Sequence, residues 1–337
     1  MNRRHVPPAH TETGVRMLLF VLIRTTVNTP FRIIYPFLPS IARGLGVSLA
    51  AAGGLVTLRL IGYMSAPFLG PLADRYGRRR VMEVALLLLV IASLSLVASE
   101  GLIAAAGAFI LFGIGKGIYD PALHAYLGDT VPYQVRGKAV GVVELSWSIA
   151  WLVGVPASGF LIERFGWRAP WYVLATIGLL GIVFTRVGMP MDVRRPAAKS
   201  ERPLVIATFK TWGDLLRRRP VIVLLATSIS ITAAIEVFLI AYGAWIEGTF
   251  ALSPSVLGGT SAVIGVSEAL AEISAAGFTD RLGKRRSVSI SLVGLTASLA
   301  ALPFLSQFGL LPTMLNVALV MFSFEFGLVS LLVMATE

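Results

Sequence analysis

Cysteine is missing from all 337 residues, which excludes disulfides and thiolate-bound metals. Charge is scarce as well. Asp, Glu, Lys and Arg make up 14% of the chain, where a soluble globular protein has about 25%. No long polar stretch is available for a separate soluble domain, and there is no His-Glu zinc pattern, nucleophile elbow or metal-spaced ligand set. Gly113-Ile114-Gly115-Lys116-Gly117 has the glycines of a phosphate loop but lacks the preceding strand and the Lys-Ser/Thr ending. Neither an enzyme nor a bound cofactor is expected.

What is present is oil. Hydrophobic residues make up 56% of the chain, and the mean hydropathy is +0.80. Ten apolar segments reach the roughly 20 residues needed to cross a bilayer: 16–41, 48–73, 81–99, 102–127, 138–163, 167–187, 221–246, 254–278, 287–306 and 310–336. All must be helices, because lipid offers no partner to open backbone groups. The first segment reads as a span rather than a cleaved leader, since it is long and carries Arg24 and Arg32. With the N-terminus inside, 21 of the 29 Lys and Arg fall in the inner segments, 3 in outer loops (Arg43, Arg164, Arg168) and 5 in helices. That asymmetry obeys the positive-inside rule. It also assigns the net charge of +11 to a membrane surface rather than to nucleic acid. A plasma (inner) membrane location with a cytoplasmic N-terminus is expected.

One charged phrase occurs twice. Asp74-Arg75-Tyr76-Gly77-Arg78-Arg79-Arg80 returns 206 positions later as Asp280-Arg281-Leu282-Gly283-Lys284-Arg285-Arg286, each copy after the second apolar segment of its half. A period this long is too large for a solenoid. It fits a duplicated bundle of membrane helices, the plan of many secondary transporters. The expected organisation is a six-helix half over 1–188, an inner linker over 189–220 and a second half over 221–337. In the linker, Phe209, Trp212, Leu215 and Leu216 stand at helical spacing beside basic residues, so this stretch either lies along the inner leaflet or is a solvated tether.

Gly70-Pro71-Leu72-Ala73-Asp74-Arg75-Tyr76-Gly77-Arg78-Arg79-Arg80 resembles the signature loop between helices 2 and 3 of the major facilitator superfamily. The second copy departs from it slightly, with Ala276 where the leading glycine belongs and Gly277 following. Pro36-Phe37-Leu38-Pro39 is similar to the proline pair of drug-efflux members, and Gly154-Val155-Pro156-Ala157-Ser158-Gly159 loosely resembles their antiporter motif. The helix 4 arginine of that family is absent, because Phe109 stands four residues before Gly113. The resemblance implies an all-α membrane protein with two pseudo-symmetric halves and ten of twelve helices present. By the repeat, the chain is expected to stop before helices 11 and 12 of a protein of roughly 400 residues, and to be unstable and inactive in this form. The resemblance further implies that Gly70, Asp74, Arg75, Gly77 and Arg78, with Asp280, Arg281, Gly283 and Lys284, act in conformational switching. On the residues themselves, Asp74 is expected to cap a neighbouring helix or to pair with an arginine across the two halves. Gly77 permits a tight turn, and Arg78 to Arg80 hold the loop at the anionic leaflet.

Ionisable groups inside a span are functional candidates by default. The first half offers Arg24, Arg32, Arg59, Lys116, Asp120 and Glu144, and the second offers Glu236, Glu268, Glu272 and Glu325. Every buried base is thus in the first half. Lys116, Asp120 and His124 share one helix face, as do Arg24, Asn28 and Arg32, and each stripe should face a central cavity. Lys116 or Arg59 would neutralise Asp120, in a proton relay or in a static ion pair. Glu144 reads as a carrier or gate. Glu236 and Glu325, in a half without buried bases, have the proton-carrying property that burial confers on a carboxyl group; the alternative is an ionised side chain facing water. Glu268 and Glu272 are like charges at i, i+4, one of them a plain cavity lining. Tyr35, Phe37, Tyr63, Tyr119, Trp147, Trp151, Phe238, Tyr242 and Trp245 either line a greasy cavity or pack, and the pairs Gly113/Gly117 and Gly137/Gly141 let helices approach.

These readings converge on a monomeric secondary transporter that exports a small amphipathic compound against protons by alternating access. A polar metabolite such as a sugar, amino acid or organic anion is the second reading, with Arg32, Arg59 and Lys116 favouring an anion. A membrane scaffold or sensor is the third, and the two intact loops argue against it.

Overall fold

The computed structural model describes residues 10–189 and 217–335. It contains ten helices long and apolar enough to cross a membrane: α1 (Met17–Leu45), α2 (Leu49–Leu69), α3 (Arg78–Val97), α4 (Leu102–Thr130), α5 (Tyr133–Phe165), α6 (Ala169–Gly188), α7 (Arg219–Phe250), α8 (Pro254–Leu282), α9 (Lys284–Phe308) and α10 (Leu310–Met334). There is no strand among the described residues. Most helices run a few residues beyond the apolar segments, because the backbone keeps its hydrogen bonds into the charged ends. The stretch around Phe209 to Leu216 falls outside the described residues.

Local chemistry sets the breaks. Ser48 caps α2, its hydroxyl accepting from the Ala51 N–H at 3.2 Å. Proline opens α6, α7 and α8, where its missing N–H costs nothing. Within α5, Pro156 cannot donate to the turn before it. The helix widens into a π turn over Ala150–Gly154, and the Val155 N–H reaches back to the Ala150 carbonyl. A second break at Leu145 separates Tyr133–Glu144 from Ser146–Ile149. α2 is also interrupted, at Met64-Ser65 and again at Gly70-Pro71 before the short helix Leu72–Tyr76.

Small residues bring the spans together, as membrane packing requires. Gly113 of α4 lies against the Arg59 carbonyl and Gly62 of α2, so any side chain there would collide with backbone. Gly137 and Gly141 have nothing within 4 Å, so the approach expected of that pair does not occur. Between the halves the close contacts are α1 with α7, where Gly243 meets the Tyr35 and Pro36 carbonyls, and α5 with α8, where Gly159 meets Pro254 and Gly265 meets Trp151. These contacts lie at mid-bundle and toward the end away from the two charged loops. There Arg43 pairs with Glu247 at 2.7 Å, and Glu163 accepts from Ser253 Oγ (2.7 Å) and the Ser255 N–H (2.9 Å) at the start of α8. Toward the loop end Tyr133 of α5 and Ile273 and Phe278 of α8 are exposed.

Candidate functional site

The break at Leu145 and the polar stripes of α1 and α4 meet inside the first half. Arg24 donates through Nε to Asp120 Oδ1 at 3.2 Å and through Nη1 to the Val143 carbonyl at 3.0 Å, and pairs with Glu144 Oε2 at 2.9 Å. Lys116 Nζ reaches Asp120 Oδ2 at 2.7 Å and also Asn28 Oδ1. The Asn28 amide donates to Ser146 Oγ at 3.0 Å, and His124 Nε2 lies 3.2 Å from Glu144 Oε1. Lys116 sits 4.0 Å from the centre of the Trp147 ring. Both bases are almost wholly buried, at 2% exposure each. A charge so deep survives only when paired and hydrogen-bonded, and both bases are paired with carboxylates here.

Two further links cross between the halves. Arg32 Nη2 of α1 pairs with Glu268 Oε2 of α8 at 2.8 Å, and the Trp151 indole N–H donates to Glu268 Oε1 at 3.2 Å. The Arg32 guanidinium lies 4.5 Å from the Trp147 ring centre and 5.2 Å from that of Trp151. In the second link, Arg59 of α2 donates to the Phe31 carbonyl and to the Tyr35 hydroxyl, each at 2.8 Å. Tyr35 in turn lies 3.0 and 3.1 Å from the two carboxylate oxygens of Glu236 on α7. Since the guanidinium can only donate and the carboxylate can only accept, the phenol accepts from one and donates to the other.

The stripe Lys116, Asp120, His124 faces the same interior as Arg24, Asn28 and Arg32, as the spacing predicts. Arg59 is not the partner of Asp120; it turns to Phe31 and Tyr35, and Arg24 takes the second side of the carboxylate. The two loops share one backbone shape. Gly77 (φ 97, ψ 144) and Gly283 (φ 86, ψ 130) both occupy conformations open to glycine, and each precedes the first residue of the next span. Among the described residues Asp74 caps no neighbouring helix and reaches no arginine of the other half; its ion-pair partner is Arg78, four residues on. Arg78 also approaches Asp129 at 3.5 Å, while Arg79 holds Glu83 at 3.0 Å and the Met189 carbonyl at 2.9 Å. Both arginines thus have acceptors within the protein. In the second loop Asp280, Arg281 and Gly283 are exposed, and Lys284 is half-buried. Gly70 packs near Pro121 of α4, and Arg75 lies against Tyr76.

From sequence alone Tyr35 is one of nine candidate lining aromatics, and Ser146, Glu163 and Glu247 carry no mark. Extending the Arg24, Asn28, Arg32 stripe by three residues reaches Tyr35 and was the available signal. Nothing in the spacing marks the other three, whose partners come from distant spans. Glu272 and Glu325 are half-buried, and both lie within electrostatic range of Arg32.

Ten helices able to cross a membrane, a loop repeated in sequence and backbone shape, and buried charge shared between two halves define a polytopic membrane protein. The chain belongs to the Major Facilitator Superfamily, whose family model matches residues 20–336. It is similar to the MFS-type transporter YwfA of Bacillus subtilis (strain 168), 25% identical over 81% of this chain and 66% of that protein. Over shorter stretches it is similar to the niacin transporter NiaP of Acinetobacter baylyi, 32% identical over 35% of this chain and 27% of that one. Multidrug resistance protein 2 of B. subtilis is 28% identical over 49% and 42%. The chain thus spans about two thirds or less of the length of these relatives. Among solved structures, a bacterial homologue of the human lysosomal transporter Spinster, inward-facing and unoccupied, superposes with a TM-score of 0.78 at 15% identity, covering 97% of this chain and 76% of that one. The D-xylose–proton symporter superposes with a TM-score of 0.71 at 17% identity, covering 94% and 81%.

Proposed function

We propose that the protein is a secondary transporter of the plasma (inner) membrane, acting as a monomer and exporting small amphipathic compounds in exchange for protons by alternating access. The observation that carries this reading is that both charged links between the halves in the bundle interior, each partly buried, end on a glutamate, Glu268 or Glu236, and begin on Arg32 or the Arg59–Tyr35 pair. A proton taken up by either carboxyl removes the charge that holds the link, so protonation and rocking of the halves are coupled. The positive-inside bias puts the charged-loop end in the cytoplasm; the halves, joined at the far end, then face inward. Asp74, Arg78 and their counterparts Asp280 and Lys284 serve as hinges at that end, and Asp120, Glu144 and Glu325 as further proton sites. The similarity to a multidrug resistance protein supports export of amphipathic compounds. Uptake or export of a polar metabolite is the second reading, favoured by the similarity to a niacin transporter.

Flux in proteoliposomes, with and without an imposed pH gradient, tests the proposal. Accelerated uptake of a dye into vesicles with an acidic interior is expected. Dye flux indifferent to the gradient overturns proton exchange.

A further inference from the structure

Arg32 sits in surroundings made for a ligand. Its guanidinium has the carboxylate of Glu268 at 2.8 Å and two indole rings within 5.2 Å, Trp147 and Trp151. A desolvated carboxylate beside aromatic faces is what a delocalised or quaternary organic cation needs for recognition. Glu268 is 2% exposed and Trp151 fully buried, so the attraction is little weakened by water. Resting on the transport reading above, we propose that Glu268, Trp147 and Trp151 form the site for an organic cation, and that Arg32 is a built-in competitor which the cation displaces.

Three observations favour displacement of Arg32 over the other bases. The Arg32 side chain is 14% exposed, whereas Arg24, Arg59 and Lys116 are at 2% or less and each also donates to groups of the first half. Arg32 fits its place incompletely, because its Nε is buried without a hydrogen-bond partner, a state that costs free energy and that among these bases it shares with Arg59 alone, which two 2.8 Å bonds to Phe31 and Tyr35 hold to the first half. A displaced Arg32 also has somewhere to go. Glu272, one turn along α8 from Glu268, and Glu325 on α10 feel its charge, and neither forms an ion pair here. Moving from Glu268 to Glu272, the guanidinium hands one carboxylate to the cation and neutralises another. An anion would instead have to break a base away from its partners.

The test is equilibrium binding of tetraphenylphosphonium to the purified full chain at pH 9, where carboxylates are ionised, with benzoate as the anionic counter-probe. Arg32→Gln should tighten tetraphenylphosphonium binding by about tenfold, as expected when a competitor occupying about nine-tenths of sites is removed. Arg32→Lys should fall between, since an ammonium still competes but stacks less well. Glu268→Gln should lose at least about tenfold, the loss of a charge-assisted contact. A second measurement needs no variant: tetraphenylphosphonium should speed modification of Arg32 by phenylglyoxal in the wild-type protein, read by peptide mass. The proposal is overturned if Arg32→Gln binds the cation no tighter, if Glu268→Gln binds it as well as wild type, if the cation leaves Arg32 modification unchanged or slows it, or if benzoate binds in an Arg32-dependent way. These outcomes do not depend on a gradient. Wild-type flux that ignores pH sinks proton exchange and leaves the competitor standing; failed tightening sinks the competitor and leaves exchange standing.

Discussion

The two halves of this bundle repeat a loop but not a charge distribution. The first half buries three bases, Arg24, Arg59 and Lys116, and settles two of them on its own carboxylates, with Arg24 and Lys116 sharing Asp120 and Arg24 also holding Glu144. The second half buries acids alone and borrows partners from the first: Glu268 takes Arg32, and Glu236 takes the Tyr35 hydroxyl. Where that half does satisfy itself, it uses neutral groups, such as the Asn316 amide donating to the Ser298 carbonyl at 2.8 Å and Thr279 beside the Ser330 hydroxyl at 2.9 Å. One half is therefore an electrostatically closed body, while the other is completed only by contact with it. Such a division suits rocking, because the bonds that must be remade lie at the interface and the internal ones need not change.

The sharpest way to break this comparison is to open the closed half. Arg24→Met removes the only partner shared by Asp120 and Glu144, leaving buried carboxylate charge inside the first half. Losing one member of a buried charge network costs roughly 3–5 kcal/mol, so the variant should melt well below wild type or fail to elute as one species. Glu325→Gln in the second half removes a half-buried carboxyl group that forms no ion pair among the described residues and should leave the melting temperature unchanged or raised. Equal losses in a thermal melt would show that the halves are not electrostatically different.

Next comes the feature the halves share. Gly77 and Gly283 adopt backbone angles that a side chain resists, at a cost of order 1–3 kcal/mol. Gly77→Ala and Gly283→Ala should therefore lower stability by similar amounts, measured in parallel melts. A loss confined to one loop would show that the matching shape carries no common demand.

Much of this was legible in the sequence, for reasons that can be named. A span is written in about twenty consecutive residues, and a repeated Asp-Arg-x-Gly phrase in seven, so helix number and loop geometry needed no long-range information. The i, i+4 stripes likewise placed Lys116 with Asp120. What the sequence could not fix is which stripe faces which. Arg32 and Glu268 are 236 residues apart, and only the packing of α1 against α5 and α8 brings them together. Asp120 illustrates the same point: Arg59 and Arg24 are equally basic and equally apolar in context, and their choice of partner follows from α2 lying on α4 backbone to backbone through Gly62 and Gly113. Arg78 and Arg79 make the point again, because no local pattern shows that Asp129 and the Met189 carbonyl come within their reach.

A smaller effect is expected from cutting a borrowed bond. Tyr35→Phe leaves Arg59 Nη2 and the Glu236 carboxylate without their shared hydroxyl, a loss of about 1–3 kcal/mol for buried groups left unsatisfied. The stability change should be modest, but the variant should weaken the dependence of flux on a pH gradient. Tyr35→Phe with wild-type gradient dependence would remove Glu236 from the coupling scheme.

The smallest change in stability, and the finest test of how the halves meet, lies at the far end. Glu163 belongs to α5 yet accepts from the Ser253 hydroxyl and from the Ser255 N–H in the first turn of α8, so it closes a helix end that belongs to the other half. It is solvent-exposed, and exposed ionic contacts contribute little to global stability. Glu163→Gln should accordingly leave the melt unchanged. Its effect should appear in the balance between conformations, because the contact exists only while the far end is shut. The absence of cysteine allows a clean readout. Ser261, buried against Tyr242 two turns inside α8, can be replaced by Ser261→Cys, and its labelling rate by a small maleimide reports how often the far end opens. In the Glu163→Gln background that rate should rise several-fold, and Arg43→Gln, which removes the partner of Glu247, should add to it. An unchanged rate in both backgrounds would mean that the far end is held by the glycine-lined contacts alone and that these two carboxylates only decorate the seam.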